Sequence, residues 1–331
     1  MRRQWTQTGL KISALTLALA MAAGCGVELE GEEGNLSFNY ADSEWVATAA
    51  GGDLAKGASV DVYVTELDAN GEALELVEAY SDDAQSIEVT DERSHDFQLT
   101  AHEQSPAEGT PIHATALDGD GEELSDRTSI VATEVDSVEF DTLCSEATYV
   151  TDSNALFQYR MKDSLGDSLT GYGVYPVDVE PADGGTINDD HRVLQTLEVA
   201  TGSEAGSYEL VATDDVSGDA MDFDLVEPGD IDELDIRSNH EDSKDVIEVG
   251  ETDFTTLFHM GTADFDAVCG GAEGAIDIDN STPDICEASY RYVGQLNMHS
   301  VEVEGLEAGS CDFDLSVVDT ELSESISVEI E

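Results

Sequence analysis

The sequence predicts an all-β protein built from tandem β-sandwich domains. No stretch of convincing length has the 3.6-residue period of an amphipathic helix. Instead, many segments of four to eight residues alternate apolar and polar side chains and are separated by Gly, Asp, Asn and Ser. This is the pattern of short strands joined by turns. A repeat of about 100 residues is superimposed on the strands, which indicates several copies of one domain.

Residues 1–24 are typical of a secretory signal peptide. Arg2, Arg3 and Lys11 supply positive charge, and residues 12–24 form an uncharged run. This run is too short to span a bilayer and is typical of the apolar region of a signal peptide. We therefore expect residues 1–24 to be removed on export.

The segment Ala22-Ala23-Gly24-Cys25 resembles the lipobox of bacterial lipoproteins, in which small residues precede an invariant cysteine. Ala22 stands where that family more often has Leu. The resemblance implies cleavage before Cys25 and acylation of this residue, so that its acyl chains hold the protein in a membrane of the cell envelope. Enteric lipoproteins that are retained in the inner membrane have Asp directly after the acylated cysteine, whereas this chain has Gly26 there. The difference favours the outer membrane. The protein could face either the periplasm or the exterior.

Residues 25–34 are short, acidic and rich in glycine. This composition predicts a flexible tether between the acylated cysteine and the first domain.

The repeat is clearest at three strands that begin with glycine. Gly109, Gly206 and Gly309 are 97 and 103 residues apart, and each starts an alternating segment that ends in Asp. A turn and a last alternating strand follow each segment, in the first repeat over residues 130–135. We predict three domains, at residues 35–135, 136–229 and 230–331.

About seven short strands in a repeat of this length are similar to an immunoglobulin-like sandwich. Gly206-Ser-Tyr208-Glu-Leu210 resembles the tyrosine-corner sequence of that fold, with Leu210 in place of the second core cysteine. The other repeats have Ile112 and Cys311 near the position of Tyr208. The resemblance to bacterial immunoglobulin-like envelope domains covers residues 35–331. It implies a non-enzymatic role as a spacer, adhesion or binding protein, with an unidentified protein or glycan partner.

The charge is the most extreme feature of the composition. Without residues 1–24 the chain has 9 basic and 75 acidic residues, a formal charge of −66. Nucleic acids and anionic membrane surfaces would repel such a protein, so we expect no nucleic-acid partner. The acidity and the scarcity of Lys favour adaptation to high salt; an ordinary acidic extracytoplasmic protein is the alternative.

One segment suggests an enzyme of a different class. Gly166-Asp167-Ser168-Leu169 resembles the nucleophile block of GDSL esterases and lipases. That chemistry also requires an Asp-x-x-His pair, and no such pair occurs around the seven histidines. In the repeat, residues 163–169 align with the turn at residues 68–74. We therefore interpret the segment as a β-hairpin turn and keep an envelope hydrolase at Ser168 as the alternative function.

Two acidic loops are candidates for calcium, which prefers oxygen ligands. Asp118, Asp120 and Glu122 form the first, and residues 277–284 form the second; neither completes an EF-hand loop. Solvated turns are the simpler interpretation in so acidic a chain. A calcium-dependent adhesion module is the corresponding third function, and no other cofactor is expected.

Four cysteines follow Cys25, and export places them in an oxidising compartment. We favour a disulfide between Cys269 and Cys286, which flank a Gly-rich segment. Cys269 to Cys311 is the rival pairing.

Overall fold

The computed structural model describes residues 28–41, 52–67, 72–106, 108–142, 147–213, 215–237, 246–263, 267–293 and 298–331. Strands dominate these residues, and the helical segments among them are two 3₁₀ turns, Ala182–Gly184 and Pro228–Asp230. The predicted all-β fold is confirmed. No helix in this part of the chain is long and apolar enough to cross a membrane.

Among the residues that the structure describes, the first sandwich contains ten strands: β1 Glu28–Glu30, β2 Leu36–Tyr40, β3 Leu54–Ala55, β4 Ser59–Glu66, β5 Glu75–Ser81, β6 Ile87–Thr90, β7 Asp96–Ala101, β8 Thr110–Leu117, β9 Glu123–Ile130 and β10 Ala132–Thr133. One sheet has the order β1-β2-β4-β7-β6, and the facing sheet has the order β5-β8-β9. The short strands β3 and β10 pair in parallel.

In the described part of the second sandwich there are also ten strands: β11 Ser137–Thr142, β12 Thr148–Val150, β13 Asn154–Lys162, β14 Ser168–Leu169, β15 Val177–Glu180, β16 Gly185–Ile187, β17 Thr196–Thr201, β18 Gly206–Ala212, β19 Ser217–Gly218 and β20 Met221–Val226. Its sheets have the orders β16-β17-β13-β11-β19 and β15-β18-β20-β12, and β14 pairs with β13.

The third sandwich has nine strands within its described residues: β21 Ile231–Arg237, β22 Val246–Ile247, β23 Thr252–Thr262, β24 Val268–Cys269, β25 Ile276–Asn280, β26 Cys286–Val293, β27 Met298–Gly305, β28 Gly309–Val317 and β29 Ser323–Ile330. Its sheets have the orders β21-β23-β27-β26 and β22-β29-β28-β25. The remaining strand, β24, pairs with β12 of the second sandwich.

The same topology occurs three times. In chain order, the seven main strands of each sandwich correspond to A to G of the immunoglobulin fold, with A, B, E and D in one sheet and C, F and G in the other. The three strands predicted to begin at glycine are the F strands β8, β18 and β28. Each sandwich is therefore immunoglobulin-like.

Alternating side chains from both sheets of each sandwich form its core. In the first, Phe38 and Val62 from one sheet meet Ile112 and Ala114 from the other, and all four are at most 2% exposed. The other two cores have the same construction. The period-two pattern predicted this arrangement, because alternate residues of a strand point to the same face.

Tyr208 forms the predicted tyrosine corner in the second sandwich. Its hydroxyl donates a 2.9 Å hydrogen bond to the carbonyl oxygen of Glu204. The ring packs so closely on Gly184 that a Cβ atom at that glycine would lie 2.2 Å from it. The corner joins the F strand β18 to the loop before it.

The last main strand of the first sandwich is not where we predicted it. The prediction placed it over residues 130–135, whereas β9 is Glu123–Ile130 and only the short β10 follows. The buried face of β9 consists of Asp126, Thr128 and Ile130. Because two of these three residues are polar, the segment lacks the apolar alternation by which we predict strands from the sequence.

The prediction of a flexible tether is wrong for its described part. Residues 28–30 form β1, which pairs with β2, and the following turn is bonded to Asp126. The carboxylate of Asp126 accepts backbone N–H bonds from Glu33, Asn35 and Leu36 at 2.8–3.1 Å. The first sandwich therefore begins at Glu28, ahead of the predicted start at residue 35; the boundaries after residues 135 and 229 stay predictions.

Candidate functional site

Ser168 lies in a β-hairpin, as the repeat predicted. It pairs with Lys162, and Leu169 pairs with Met161. Asp163 organises the turn because its Oδ1 atom accepts the N–H groups of Leu165 and Asp167 at 2.8 and 2.9 Å. The turn is completed by Gly166 at a φ of 86°. Ser168 thus belongs to a structural hairpin, as the first residue of β14.

The predicted calcium loop is the same kind of turn. Oδ1 of Asp118 accepts the N–H groups of Asp120 and Glu122 at 2.9 and 2.8 Å. Gly121 has a φ of 82°, and its N–H donates to the Asp118 carbonyl oxygen. Asp118 therefore directs one carboxylate oxygen into its own turn. No group of three or more His, Cys, Asp or Glu side chains in the described part of the chain could hold a metal ion.

The two turns share a mechanism that explains both motifs. A five-residue loop that closes with a positive-φ glycine suits a β-hairpin. An Asp at its start bonds the backbone two residues on, which stabilises the turn. The resemblance to a hydrolase block and the resemblance to a calcium loop both arise from this one Asp-x-x-Gly turn.

The predicted disulfide between Cys269 and Cys286 is wrong. Cys286 on β26 is bonded to Cys311 on β28, with 5.7 Å between the Cα atoms. The two strands lie in opposite sheets, and both cysteines point into the core, at 1% and 0% exposure. Closing a loop over a separation of 25 residues stabilises the third sandwich by about 3.5 kcal/mol on the chain-entropy model.

Cys269 lies outside this core because β24 pairs with β12 of the second sandwich. It is also disulfide-bonded. Since Cys286 and Cys311 bond each other, the partner of Cys269 lies outside the described residues.

The structure brings residues of different sandwiches together at two joints. At the first joint, residues 53–59 meet residues 170–172 through backbone hydrogen bonds. Ala55 N–H donates to Thr170 O, and Thr170 N–H donates to Asp53 O, at 2.9 and 2.8 Å. Ser59 and Tyr172 exchange two further bonds of 2.9 Å. The first two sandwiches are thus connected by sheet-like pairing in addition to the chain itself.

The second joint repeats this construction. Thr148 and Tyr149 of β12 pair in parallel with Val268 and Cys269 of β24. The N–H of Gly271 also donates a 2.7 Å bond to Asn154 O. In both joints, the segment before strand B of one sandwich pairs with the segment after strand B of the next.

A glycine at the same place in each joint allows the close approach. Gly171 has a φ of 131°, and a Cβ atom there would lie 2.5 Å from the Cβ of Ala58. Gly270 has a φ of 74°, and a Cβ atom there would lie 2.4 Å from Asn154 O. Either substitution would force backbone and neighbouring atoms apart. The two glycines are one repeat apart along the chain, a signal that our sequence interpretation missed.

Side chains also cross the joints. Tyr172 belongs to the second sandwich but packs in the core of the first, where its hydroxyl accepts a 2.8 Å bond from Gln98 Nε2. Ala55 and Ala58 of the first sandwich pack in the core of the second. At the second joint, Val150 packs in the third core and Cys269 in the second. The three cores therefore interlock.

A buried histidine holds the segment that forms the second joint. His299 Nε2 donates to Val268 O at 3.0 Å, and its Nδ1 accepts from the Tyr290 hydroxyl at 2.9 Å. The same hydroxyl accepts the N–H of Ala272 at 3.0 Å. Burial lowers the pKa of His299 to about 4. The imidazole is therefore neutral near neutral pH and fixes the backbone on both sides of Cys269.

Cys25 and residues 1–24 lie outside the described residues. Their predicted roles in acylation and export stay predictions.

No family model matches the chain. No curated protein matches it. Among solved structures, the Escherichia coli adhesin FdeC is similar, with 14% identity, a TM-score of 0.26, and coverage of 85% of this chain and 95% of that chain. Invasin, a bacterial integrin-binding protein, has 15% identity and a TM-score of 0.25 over 84% of this chain and 59% of its own. Domains 4–9 of the surface layer protein SbsC have 12% identity and a TM-score of 0.26 over 84% and 45%.

Proposed function

We propose that this protein is a lipid-anchored, non-enzymatic spacer of the cell envelope, made of three immunoglobulin-like units joined end to end. The observation that supports this function most directly is the repeated joint, in which backbone pairing and interlocked cores connect successive sandwiches. A freely hinged string would need neither feature, because flexible linkers alone would connect its domains.

The joints lie at opposite ends of the second sandwich. Strand β13 runs nine residues from Asn154 to Lys162. Asn154 bonds the third sandwich, whereas the hairpin after Lys162 leads to Thr170, which bonds the first. Nine residues of strand span about 30 Å. This separation supports an end-to-end arrangement of the three units.

Acyl chains on Cys25 would supply the anchor, because two or more chains bind a membrane stably whereas one binds marginally. Gly26 favours the outer membrane as the location. The partner that the spacer positions or contacts is a protein or a glycan, and the charge of −66 without residues 1–24 disfavours nucleic acid.

Fractionation of cells that express the full chain tests the anchor. The wild-type protein is expected in the membrane fraction with an acylated N-terminal peptide, and a Cys25→Ser variant is expected to lose both properties. A Ser168→Ala variant serves as the control, because a residue of the β14 hairpin should not affect anchoring. Membrane association of Cys25→Ser equal to wild type would contradict the proposal.

The same Ser168→Ala variant tests the alternative function. Ester hydrolysis by the wild-type protein that disappears in Ser168→Ala would support the hydrolase in place of the spacer. Protease treatment of intact cells then separates two forms of the spacer role. Cleavage of the sandwiches would favour adhesion at the cell surface, and protection would favour a role inside the envelope.

A further inference from the structure

We infer that the first sandwich lies side-on against the lipid surface that holds Cys25, with the edge strand β1 facing the headgroups. The inference rests on the proposed acylation of Cys25. It concerns the partner and the posture of the anchored protein, which the spacer role alone leaves open.

The position of β1 in its sheet determines where the anchored chain joins the first sandwich. β1 is the edge strand, so one side of it has no neighbouring strand among the described residues. Glu28 pairs with Asn39, and Asn39 pairs with Tyr63 in β4. Tyr63 is four residues from Ser59, which bonds the second sandwich. Glu28 therefore lies part-way along the side of the first sandwich, about 14 Å from the joint.

Strands β2 and β9 give the distance from Glu28 to the free end of this sandwich, which is the end opposite the joint. Leu36 lies three residues beyond Asn39 on β2 and is bonded to Asp126 on β9. From Asp126, strand β9 extends three more residues to Glu123, and the turn at residues 118–122 follows. Each step of three residues spans about 10 Å. The free end thus lies about 20 Å beyond Glu28.

The length of chain between Cys25 and β1 limits the reach of the anchor. Cys25 is three residues before Glu28, and three residues span at most about 10 Å. An upright protein that rested its free end on the membrane would need about 20 Å. With the available length, the turn that contains Asp118, Asp120 and Glu122 would enter the bilayer by about 10 Å. Burial of its ionised carboxylates in hydrocarbon makes that posture highly unfavourable.

Side-on contact avoids this cost. It places the β1 edge at the headgroups and leaves the turn at residues 118–122 in water. Glu28 and Glu30 are exposed on β1, so the edge should favour a zwitterionic surface over an anionic one. The bonds from Asp126 to the turn after β1 hold this strand on the sandwich, so its residues do not lengthen the reach of the anchor.

Neutron reflectometry of the acylated protein in a supported phosphatidylcholine bilayer tests the posture. A side-on protein should form a layer about 25 Å thick, the width of a five-stranded sheet, whereas an upright one should form a layer of about 100 Å. A variant with a flexible insert of about 20 Gly and Ser residues between Gly26 and Val27 gains about 25 Å of reach. This variant should form a measurably thicker layer.

The same insert added after Glu331 is the matched control and should leave the layer thin. A layer of about 100 Å for the acylated wild-type protein is the thickness of the upright posture. This result would overturn the side-on posture and leave the proposed anchor intact. Absence of acyl chains from the N-terminal peptide, with no protein on the bilayer, would overturn the anchor and the inference together.

Discussion

Asp126 shows how one buried carboxylate can organise a distant segment. Its two oxygens accept four backbone N–H groups, three of them from residues 33–36 and the fourth from Arg127. Burial alone would raise the pKa of Asp126, but these backbone bonds lower it below its usual range. The ion pair between Arg127 and Glu32 adds a contact at the same turn. The charged form of Asp126 therefore stabilises the start of the first sandwich.

Replacement of Asp126 by Asn should destabilise the protein by roughly 3 kcal/mol, because the amide nitrogen would face backbone donors that the carboxylate oxygen accepts. Urea unfolding measures the loss. Glu123→Gln, an exposed change on the same strand, is the control and should stay within about 0.5 kcal/mol of wild type. Equal stability of the two variants would show that the bonds contribute little.

His299 makes the free energy of unfolding depend on pH. Its pKa is about 4 in the folded protein, against 6.5 for an unburied histidine. Between these values the unfolded chain binds more protons, so stability falls as the pH drops from 6.5 to 4, by up to roughly 3 kcal/mol. His299→Gln should remove this loss while every carboxylate is retained. An equal fall in the free energy of unfolding of wild type and variant between pH 6.5 and 4 would show that His299 does not cause the loss.

The joints between sandwiches depend on glycine. Gly270→Ala should cost about 1–2 kcal/mol for the positive φ, and about 1–3 kcal/mol more for the contact with Asn154 O. Gly173→Ala is the matched control, since Gly173 has a φ of 83° and open space around it. Chemical denaturation should therefore rank Gly270→Ala below Gly173→Ala in stability. The same cost in both variants would mean that the joint can relax.

The strands and their sheets were largely predictable from the sequence, whereas the joints were not. Alternation in segments such as Phe157 to Met161 reports burial on one face directly. The buried polar face of β9, with Asp126 and Thr128, carries no apolar signal. Likewise, the pairing of Cys286 with Cys311 depends on which strands face each other across the core, and that is a property of the folded sandwich.

For the candidate site, the sequence supported the correct interpretation of Ser168, because the repeat aligned it with a turn. It did not reveal that Tyr172, four residues later, packs into the preceding sandwich. Local pattern indicates which face of a strand is buried but not which neighbouring unit covers it. The spacing of Gly171 and Gly270 was the one available signal.

Charge should control the stability of the protein as a whole. Without residues 1–24 the formal charge is −66, and repulsion among the carboxylates opposes the compact state. The screening length falls from about 10 Å at 0.1 M salt to about 3 Å at 1 M. We expect the melting temperature of residues 25–331 to rise by on the order of 10 °C over this range. An uncharged osmolyte at equal osmolality is the control, and a flat response to salt would contradict adaptation to high salt.

The proposed end-to-end arrangement of the three sandwiches sets the dimensions of the molecule in solution, and small-angle X-ray scattering of residues 25–331 measures them. Three units of about 30–35 Å in line predict a radius of gyration of about 30 Å. A compact protein of this length would have about 19 Å. We predict the larger value, with a maximum dimension of roughly 100 Å that does not change with salt once the protein is folded. A radius of gyration close to that of the compact protein would show that the joints do not hold the sandwiches in line.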